Sequence, residues 1–97
     1  MAYTYGPGGA RAALNVTTTT LIKSGPGTLF RVVVVTPPTV VGGIYDSATT
    51  GGISATNQIA PIATALTADT VLELLWPCKN GIVVNPGTGG VVSVSYT

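Results

Sequence analysis

The chain is poor in the side chains that carry out acid–base and nucleophilic chemistry. It contains no histidine, one cysteine and three carboxylates, Asp46, Asp69 and Glu73. Without histidine, neither a Ser–His nor a Cys–His pair can form, and a zinc site would lack its usual ligands. Asp69 and Glu73 would stand about 13 Å apart on the same side of a strand, a spacing that surface carboxylates commonly have. The sequence therefore predicts that the protein is not an enzyme and uses no metal or cofactor.

Charged residues are scarce as well, at 7% of the chain, whereas apolar residues make up 45%. The usual charged share is about 25%, so few charges are available to cover an exposed surface. We therefore expect self-association or docking on a larger assembly, with scattered apolar side chains in contact with partners. The net charge of +1 and the four dispersed basic residues do not provide the phosphate-neutralising patch that nucleic-acid binding requires.

Long hydrophobic runs are also lacking. The most apolar run, residues 32–35, is far shorter than the roughly 20 residues that a helix needs to cross a bilayer. Residues 1–10 do not have the basic and apolar regions of a secretory signal. Cys78 has no partner for an intramolecular disulfide and is predicted to be a small buried hydrophobe. Neither a membrane nor nucleic acid is expected as a partner.

Threonine and valine, by contrast, are abundant, and both are β-branched. Glycine, proline and asparagine interrupt them about every 8 to 12 residues, a pattern typical of all-β sandwiches and barrels. The chain is long enough for one domain only. The predicted fold is an all-β antiparallel β-sandwich or jelly-roll-like barrel of about seven strands. It covers residues 13–97, and residues 1–12 are predicted to form a flexible N-terminal arm.

Seven segments show strand-like patterning. They are residues 13–23, 28–36, 39–46, 53–63, 69–76, 82–84 and 91–97. Pro61 demotes the fourth segment to an edge strand or an extended connection, and Pro77 is predicted to end the fifth. Asn80-Gly81 is the strongest turn signal, because a type I′ turn needs positive φ at both central residues, and it predicts a hairpin between the fifth and sixth strands.

The few aromatic residues are candidates for contact with partners. Tyr3 and Tyr5 lie on a Gly/Pro-rich arm with little local core to join, so we expect them either to enter a pocket on a partner or to belong to a disordered tail. Trp76 and Tyr45 have amphipathic rings that could stack on a sugar, but packing in the core or at an interface is the favoured interpretation for both. The residues predicted to contact partners are Tyr3, Tyr5, Arg11, Arg31 and Trp76.

Four segments together carry a resemblance to a known class of proteins. Residues 23–35 read Lys-Ser-Gly-Pro-Gly-Thr-Leu-Phe-Arg-Val-Val-Val-Val, and residues 43–52 read Gly-Ile-Tyr-Asp-Ser-Ala-Thr-Thr-Gly-Gly. Residues 79–84, Lys-Asn-Gly-Ile-Val-Val, and the valine-rich 91–96 follow. In this order the segments resemble small virion proteins encoded by many tailed phages. The resemblance covers about residues 13–97, and its motifs are mostly turn chemistry.

The resemblance implies a capsid cement or decoration protein, a non-enzymatic virion protein that stabilises the assembled phage head. Its partners would be copies of itself, in a dimer or trimer, and the phage major capsid protein. The arm through Arg11 would reach an adjacent subunit. Such a protein would be made in the host cytoplasm and reside in the virion. Two alternatives stay open: a tail, baseplate or fibre-associated domain that binds host glycans, and a small coat subunit that assembles alone.

Overall fold

The structure is a computed structural model and describes residues 11–97. Its regular elements are strands, apart from one 3₁₀ turn at Thr50–Gly52. The strands are β1 Arg11–Val16, β2 Thr20–Ser24, β3 Gly27–Thr36, β4 Gly42–Tyr45, β5 Gln58–Ile62, β6 Val71–Cys78, β7 Gly81–Asn85 and β8 Val91–Tyr96. The predicted all-β fold is therefore confirmed. No helix in this part of the chain is long and apolar enough to cross a membrane.

The strands form two four-stranded antiparallel sheets. The first sheet has the order β1-β8-β3-β6, and the second has the order β2-β7-β4-β5. β1 pairs with β8, β2 with β7, β3 with β6 and β4 with β5. The chain is thus one long antiparallel ribbon that turns back between β4 and β5. Rolling this ribbon brings β3 beside β8 and β4 beside β7, which gives an eight-stranded jelly roll.

The prediction of a single first strand over residues 13–23 is wrong. It is divided into β1 and β2, which belong to different sheets, and residues 17–19 cross between them. The register of β1 breaks between Ala13 and Val16, where Asn15 has a φ of 54°. Residues 16–20, which span the crossing, are all β-branched, so the local pattern could not reveal the change of sheet. β1 begins at Arg11, inside the segment predicted as an arm.

Asn80-Gly81 does not form the predicted type I′ hairpin. β6 and β7, which it joins, lie in different sheets, and neither residue has a positive φ. The carbonyl of Asn80 instead accepts a 2.9 Å hydrogen bond from the backbone N–H of Gly25. Glycine is required at position 81 for space, because an added Cβ would collide with the carbonyl oxygen of Ser47 and lie 2.7 Å from that of Lys23.

Proline does not end β6, contrary to the sequence prediction. Pro77 lies within the strand and pairs with Thr28 of β3. β6 is the outer strand of its sheet, where a residue without an N–H can face away from the ladder. The same reasoning predicted Pro61 correctly, because β5 is an outer strand of the second sheet.

Two connections between strands run next to each other where they cross from one sheet to the second sheet. β2 continues into β3 while the neighbouring β7 is reached from β6. Ser24 pairs with Gly81 on one side of this corner, and Gly27 pairs with Cys78 on the other. Strand pairing is therefore kept up to the bend on both sides. We call this bend the paired corner, residues 24–27 and 78–81.

Asp46, which directly follows β4, holds the paired corner with its carboxylate. Oδ2 accepts the backbone N–H of Lys79 at 3.0 Å, and Oδ1 accepts those of Asn80 at 2.8 Å and Gly81 at 3.3 Å. Partial burial pushes the pKa of Asp46 upward, but these three hydrogen bonds and the positive charge of Lys79 outweigh it, so the pKa lies below its ordinary value. The carboxylate is therefore ionised when it binds the corner.

The core lies between the two sheets and is almost entirely aliphatic. Strands β7 and β8 supply alternate residues to it, and the only buried aromatic among the described residues is Tyr96. Its members are Val16, Leu29, Val32, Ile44, Ile62, Cys78, Ile82, Val84, Val92, Val94 and Tyr96. Among the described residues, every buried side-chain nitrogen or oxygen has a hydrogen-bond partner. The sandwich therefore holds together by apolar packing, with polar contacts concentrated at its corners.

Replacing Asp46 with alanine should lower the free energy of unfolding by about 1–3 kcal/mol at pH 7, because three backbone N–H groups lose a charged acceptor. The folded-state pKa is depressed, so this stabilisation is present above the unfolded pKa of about 3.9 and is lost as pH falls through the folded value. Urea unfolding of both proteins from pH 7 to pH 2 should show the difference shrinking below pH 4. An equal difference in the free energy of unfolding at pH 7 and at pH 2 would contradict this role of the Asp46 carboxylate.

Gly81→Ala should destabilise the fold by about 1–3 kcal/mol, because the new methyl group must displace backbone carbonyls rather than a mobile side chain. Gly51→Ala is the matched control, since a Cβ at position 51 meets no atom within 4 Å. Thermal unfolding should give a melting temperature several degrees lower for the first variant and nearly unchanged for the second. Equal melting temperatures would show that the corner tolerates a side chain.

Candidate functional site

The three carboxylates lie in different parts of the structure described for residues 11–97. No group of three or more His, Cys, Asp or Glu side chains suited to a metal ion occurs there. Asp69 lies in the turn before β6 with a φ of 71°, and its N–H bonds to the carbonyl of Val34. Glu73 lies on β6 itself, 3.6 Å from the Nε of Arg31. Asp69 and Glu73 therefore do not share one strand, contrary to the sequence expectation.

Cys78 is buried in the core, as the sequence predicted. Burial, followed by the negative charge of Asp46, raises the pKa of its thiol to about 11. The thiol is consequently neutral at physiological pH, and a neutral thiol is a poor nucleophile. Cys78 is a packing residue at the paired corner.

Cys78 should resist modification while the protein is folded. At pH 8 we expect a thiol reagent such as an aromatic disulfide to label the native chain at least about a hundredfold more slowly than the urea-unfolded chain, since the thiolate is the reactive form. The release of the chromophore measures both rates. Rapid labelling of the native protein would show that this end of the core opens readily.

The outer face of the first sheet carries exposed apolar side chains. Val33 and Val35 of β3 and Val71 of β6 point away from the core, and Leu14 of β1 lies across the same face. Leu14 is 73% exposed, Val71 51% and Val35 43%. We call these four residues the valine face. Serines of β8 lie between them, so the surface is both apolar and low in charge.

One ion pair crosses this face. Arg31 of β3 and Glu73 of β6 are directly opposite each other, and both side chains are more than half exposed. At a separation of 3.6 Å in water such a pair contributes about 0–1 kcal/mol to stability. Its two charges offset each other, which leaves the valine face nearly neutral.

The predicted contact residues do not form one site. Tyr3 and Tyr5 lie outside the described residues. Arg11 pairs with Tyr96 at one edge of the first sheet, and Trp76 lies at the opposite edge in the same row. Three strand spacings separate them, about 14 Å. Arg31 faces outward between them, so these residues belong to different surfaces.

Trp76 lies neither in the core nor on a flat sheet surface. Between the pairs Arg31–Glu73 and Leu29–Trp76, β6 has one more residue than β3, which is a β-bulge. Leu75 within it adopts a left-handed φ of 49°, a conformation that costs a non-glycine residue about 1–2 kcal/mol. The strand bends here, and the Trp76 ring is left 47% exposed at the open side between the sheets.

Trp76 borders a crevice of about 240 Å³. Residues 56–59, at the start of β5, form the facing wall, and Asp46 and Asn80 line the end at the paired corner. We call it the Trp76 crevice. Its volume is smaller than the roughly 300–1,000 Å³ of the pockets that enclose drug-sized ligands, so it has room for one small ring.

The wall facing Trp76 is held by its own hydrogen bonds. Asn57 donates from Nδ2 to the carbonyl of Gly52 at 2.9 Å and accepts the N–H of Ser54 at 2.9 Å. The hydroxyls of Ser54 and Thr56 are 2.7 Å apart. The carbonyl of Asn57 also accepts the N–H of Asp46 at 2.9 Å, which ties the wall to the paired corner. This wall of the crevice is therefore held by hydrogen bonds within the protein itself.

The other aromatic candidate, Tyr45, does not line this crevice. A Cβ at Gly43 would lie 2.6 Å from the Tyr45 hydroxyl, so the ring covers Gly43 on the second sheet. Trp76 and Tyr45 therefore lie on different surfaces. Sequence reasoning also missed Gln58 and Asn80 as lining residues. They come from distant segments, and their only sequence signals were those of a strand start and a turn.

The chain matches no family model, no curated protein and no solved structure among those it was compared with.

Proposed function

We propose that the protein is a non-enzymatic structural protein of a phage virion, namely a capsid cement or decoration protein that stabilises the assembled head through subunit contacts. In this proposal it is made in the host cytoplasm, resides in the virion and contacts the phage major capsid protein as part of a dimer or trimer. The four segments that resemble tailed-phage virion proteins support the phage origin. The valine face supports the docking role.

The valine face is the observation that carries the docking argument. Three of its four side chains are between 43% and 73% exposed, and the surrounding strand surface offers serine hydroxyls and one neutralised ion pair. Exposed β-branched side chains on a flat sheet bury well against another flat apolar surface, and the low charge keeps the desolvation cost small.

The size of the valine face supports an oligomer rather than a single bound copy. Completing the burial of four partly exposed aliphatic side chains contributes on the order of 1 kcal/mol each. Association costs roughly 4–15 kcal/mol in lost translational and rotational freedom. One face alone therefore binds weakly, whereas two or three linked copies would bind with a much higher avidity.

The jelly roll is compatible with this proposal but does not establish it. Viral capsid domains and lectin domains share this architecture, and a fold supports many functions. The relevant physical property is that rolling the ribbon leaves one broad sheet face on each side, available for contact.

Mass action accounts for the stabilising effect. A protein that binds the assembled shell and not its dissociated subunits raises the free energy needed to disrupt the shell by RT ln(1 + [L]/Kd), about 2.7 kcal/mol per site at a concentration of 100 Kd. No covalent step is needed. The many identical sites on a capsid multiply this increment.

Val71→Glu should weaken binding to empty capsids of the phage that encodes the chain by roughly tenfold or more, because a carboxylate would be buried in an apolar contact. Val41→Glu is the matched control, since Val41 is 54% exposed against 51% for Val71 but lies outside the valine face. Co-sedimentation with capsids measures both. Equal binding by both variants would contradict docking through the valine face.

The coat-subunit alternative makes a different prediction for the purified chain. A coat subunit would form closed shells by itself, whereas a decoration protein would stay a small oligomer until capsids are added. Light scattering of the chain alone distinguishes the two, and shells formed without another protein would overturn the decoration role.

A further inference from the structure

We propose that the Trp76 crevice binds one ring of a neutral saccharide. This inference is independent of capsid docking, because the crevice lies on the open side between the sheets and includes no residue of the valine face. It rests on the exposed ring, on the polar groups around it and on the preformed wall.

The first observation is the strained strand that presents Trp76. β-Bulges bend a strand and occur often beside binding sites, and a left-handed non-glycine residue is maintained at a cost in stability. Here both features come immediately before Trp76, at Leu75. An indole that is 47% exposed beside a crevice offers a flat apolar surface, which matches the C–H face of a sugar ring.

The second observation is a set of polar groups with unused hydrogen-bonding capacity. The side-chain amide of Asn80 and the indole N–H of Trp76 belong to residues that line the crevice, and they make no hydrogen bond within residues 11–97. Gln58 lines the crevice as well, but its amide nitrogen lies over Gly43 beside the Tyr45 hydroxyl. Asp46 uses about three of its roughly four acceptor positions on the paired corner, which leaves one. These groups offer donors and acceptors together, which is what hydroxyl groups require.

The charge of the crevice decides against anionic ligands. Its one charged lining residue is Asp46, whose lowered pKa keeps it ionised. A phosphate or a sialic acid would meet this negative charge. A neutral sugar would instead donate a hydroxyl to it, and hydrogen bonds to a charged group are roughly twice as strong as neutral ones.

Rigidity and size define the ligand further. The hydrogen bonds of Asn57 and Ser54 fix the facing wall, so binding orders few groups. A volume of about 240 Å³ accommodates a single ring, with the rest of a glycan outside. Binding to one copy is consequently weak, and several copies on one particle would raise avidity by about 10²–10⁴.

The chain contains one tryptophan, so its fluorescence reports on this crevice alone. The full chain is titrated with glucose, galactose, mannose and N-acetylglucosamine, and with N-acetylneuraminic acid as the anionic comparison. At least one neutral sugar should shift the emission in a saturable manner, and the acid should not. No saturable shift with any neutral sugar, or a stronger response to the acid, would overturn the proposal.

Variants then separate stacking from hydrogen bonding. Trp76→Ala should reduce sugar binding, measured by saturation-transfer NMR, about tenfold. Val40→Ala, a change at an exposed residue outside the crevice, should leave binding unchanged. Asn80→Ala keeps the fluorophore and should weaken binding roughly threefold to tenfold. If Trp76→Ala does not fold, Asn80→Ala is the deciding variant, and unchanged affinity there overturns the site.

The same variants keep this inference distinct from capsid docking. Val71→Glu should bind sugar with normal affinity, and Trp76→Ala should bind capsids normally. Loss of both activities in either variant would show that the crevice and the valine face are not separate surfaces, and would overturn the assignment of the crevice as an independent saccharide site.

Discussion

Three hydrogen bonds from the backbone of residues 79–81 to the carboxylate of Asp46 hold the paired corner, and the other features of this structure depend on that corner. A rolled ribbon must take two strands around each bend together, and at the bend backbone N–H groups lose their ladder partners. Asp46 follows β4 and reaches across to the connection between β6 and β7, so a residue from the second sheet fixes where the first sheet ends. The same residue lines the Trp76 crevice, which makes the geometry of the crevice a consequence of the corner.

Sparse charge has different effects inside and outside the sandwich. Inside, aliphatic packing meets no unpaired buried polar side chain among the described residues, so the core alone can support the fold. Outside, the surface is covered by threonine, serine and aliphatic side chains, and these leave a broad neutral face on the first sheet. The proposed docking through that face and the proposed recognition of a sugar ring at the sheet edges would use opposite properties of the same molecule. Flat apolar area would serve the first, and a polar recess beside one ring would serve the second.

Much of the fold followed from local pattern. The strands at residues 28–36 and 91–97 were predicted nearly as they occur, and Pro61 correctly marked an edge strand, because alternation and proline chemistry act over a few residues. The errors share one cause. Residues 13–23 and the Asn80-Gly81 turn were interpreted as continuous or locally paired, but in both places the chain moves between sheets. A crossing leaves no mark in periodicity, since each side of it alternates as before.

The candidate sites show the same division. The sequence singled out Trp76 from its chemistry, but its partners Gln58 and Asn80 come from segments about 20 residues apart and had no distinguishing signal. What the sequence alone determined is the all-β class, the near absence of reactive groups and the low charge, because these are properties of composition and short-range alternation. The tertiary structure alone decided the order of the strands, the role of Asp46 and which side chains meet at the crevice. Those depend on how the ribbon rolls, and rolling brings together residues whose separation along the chain carries no information about their contact.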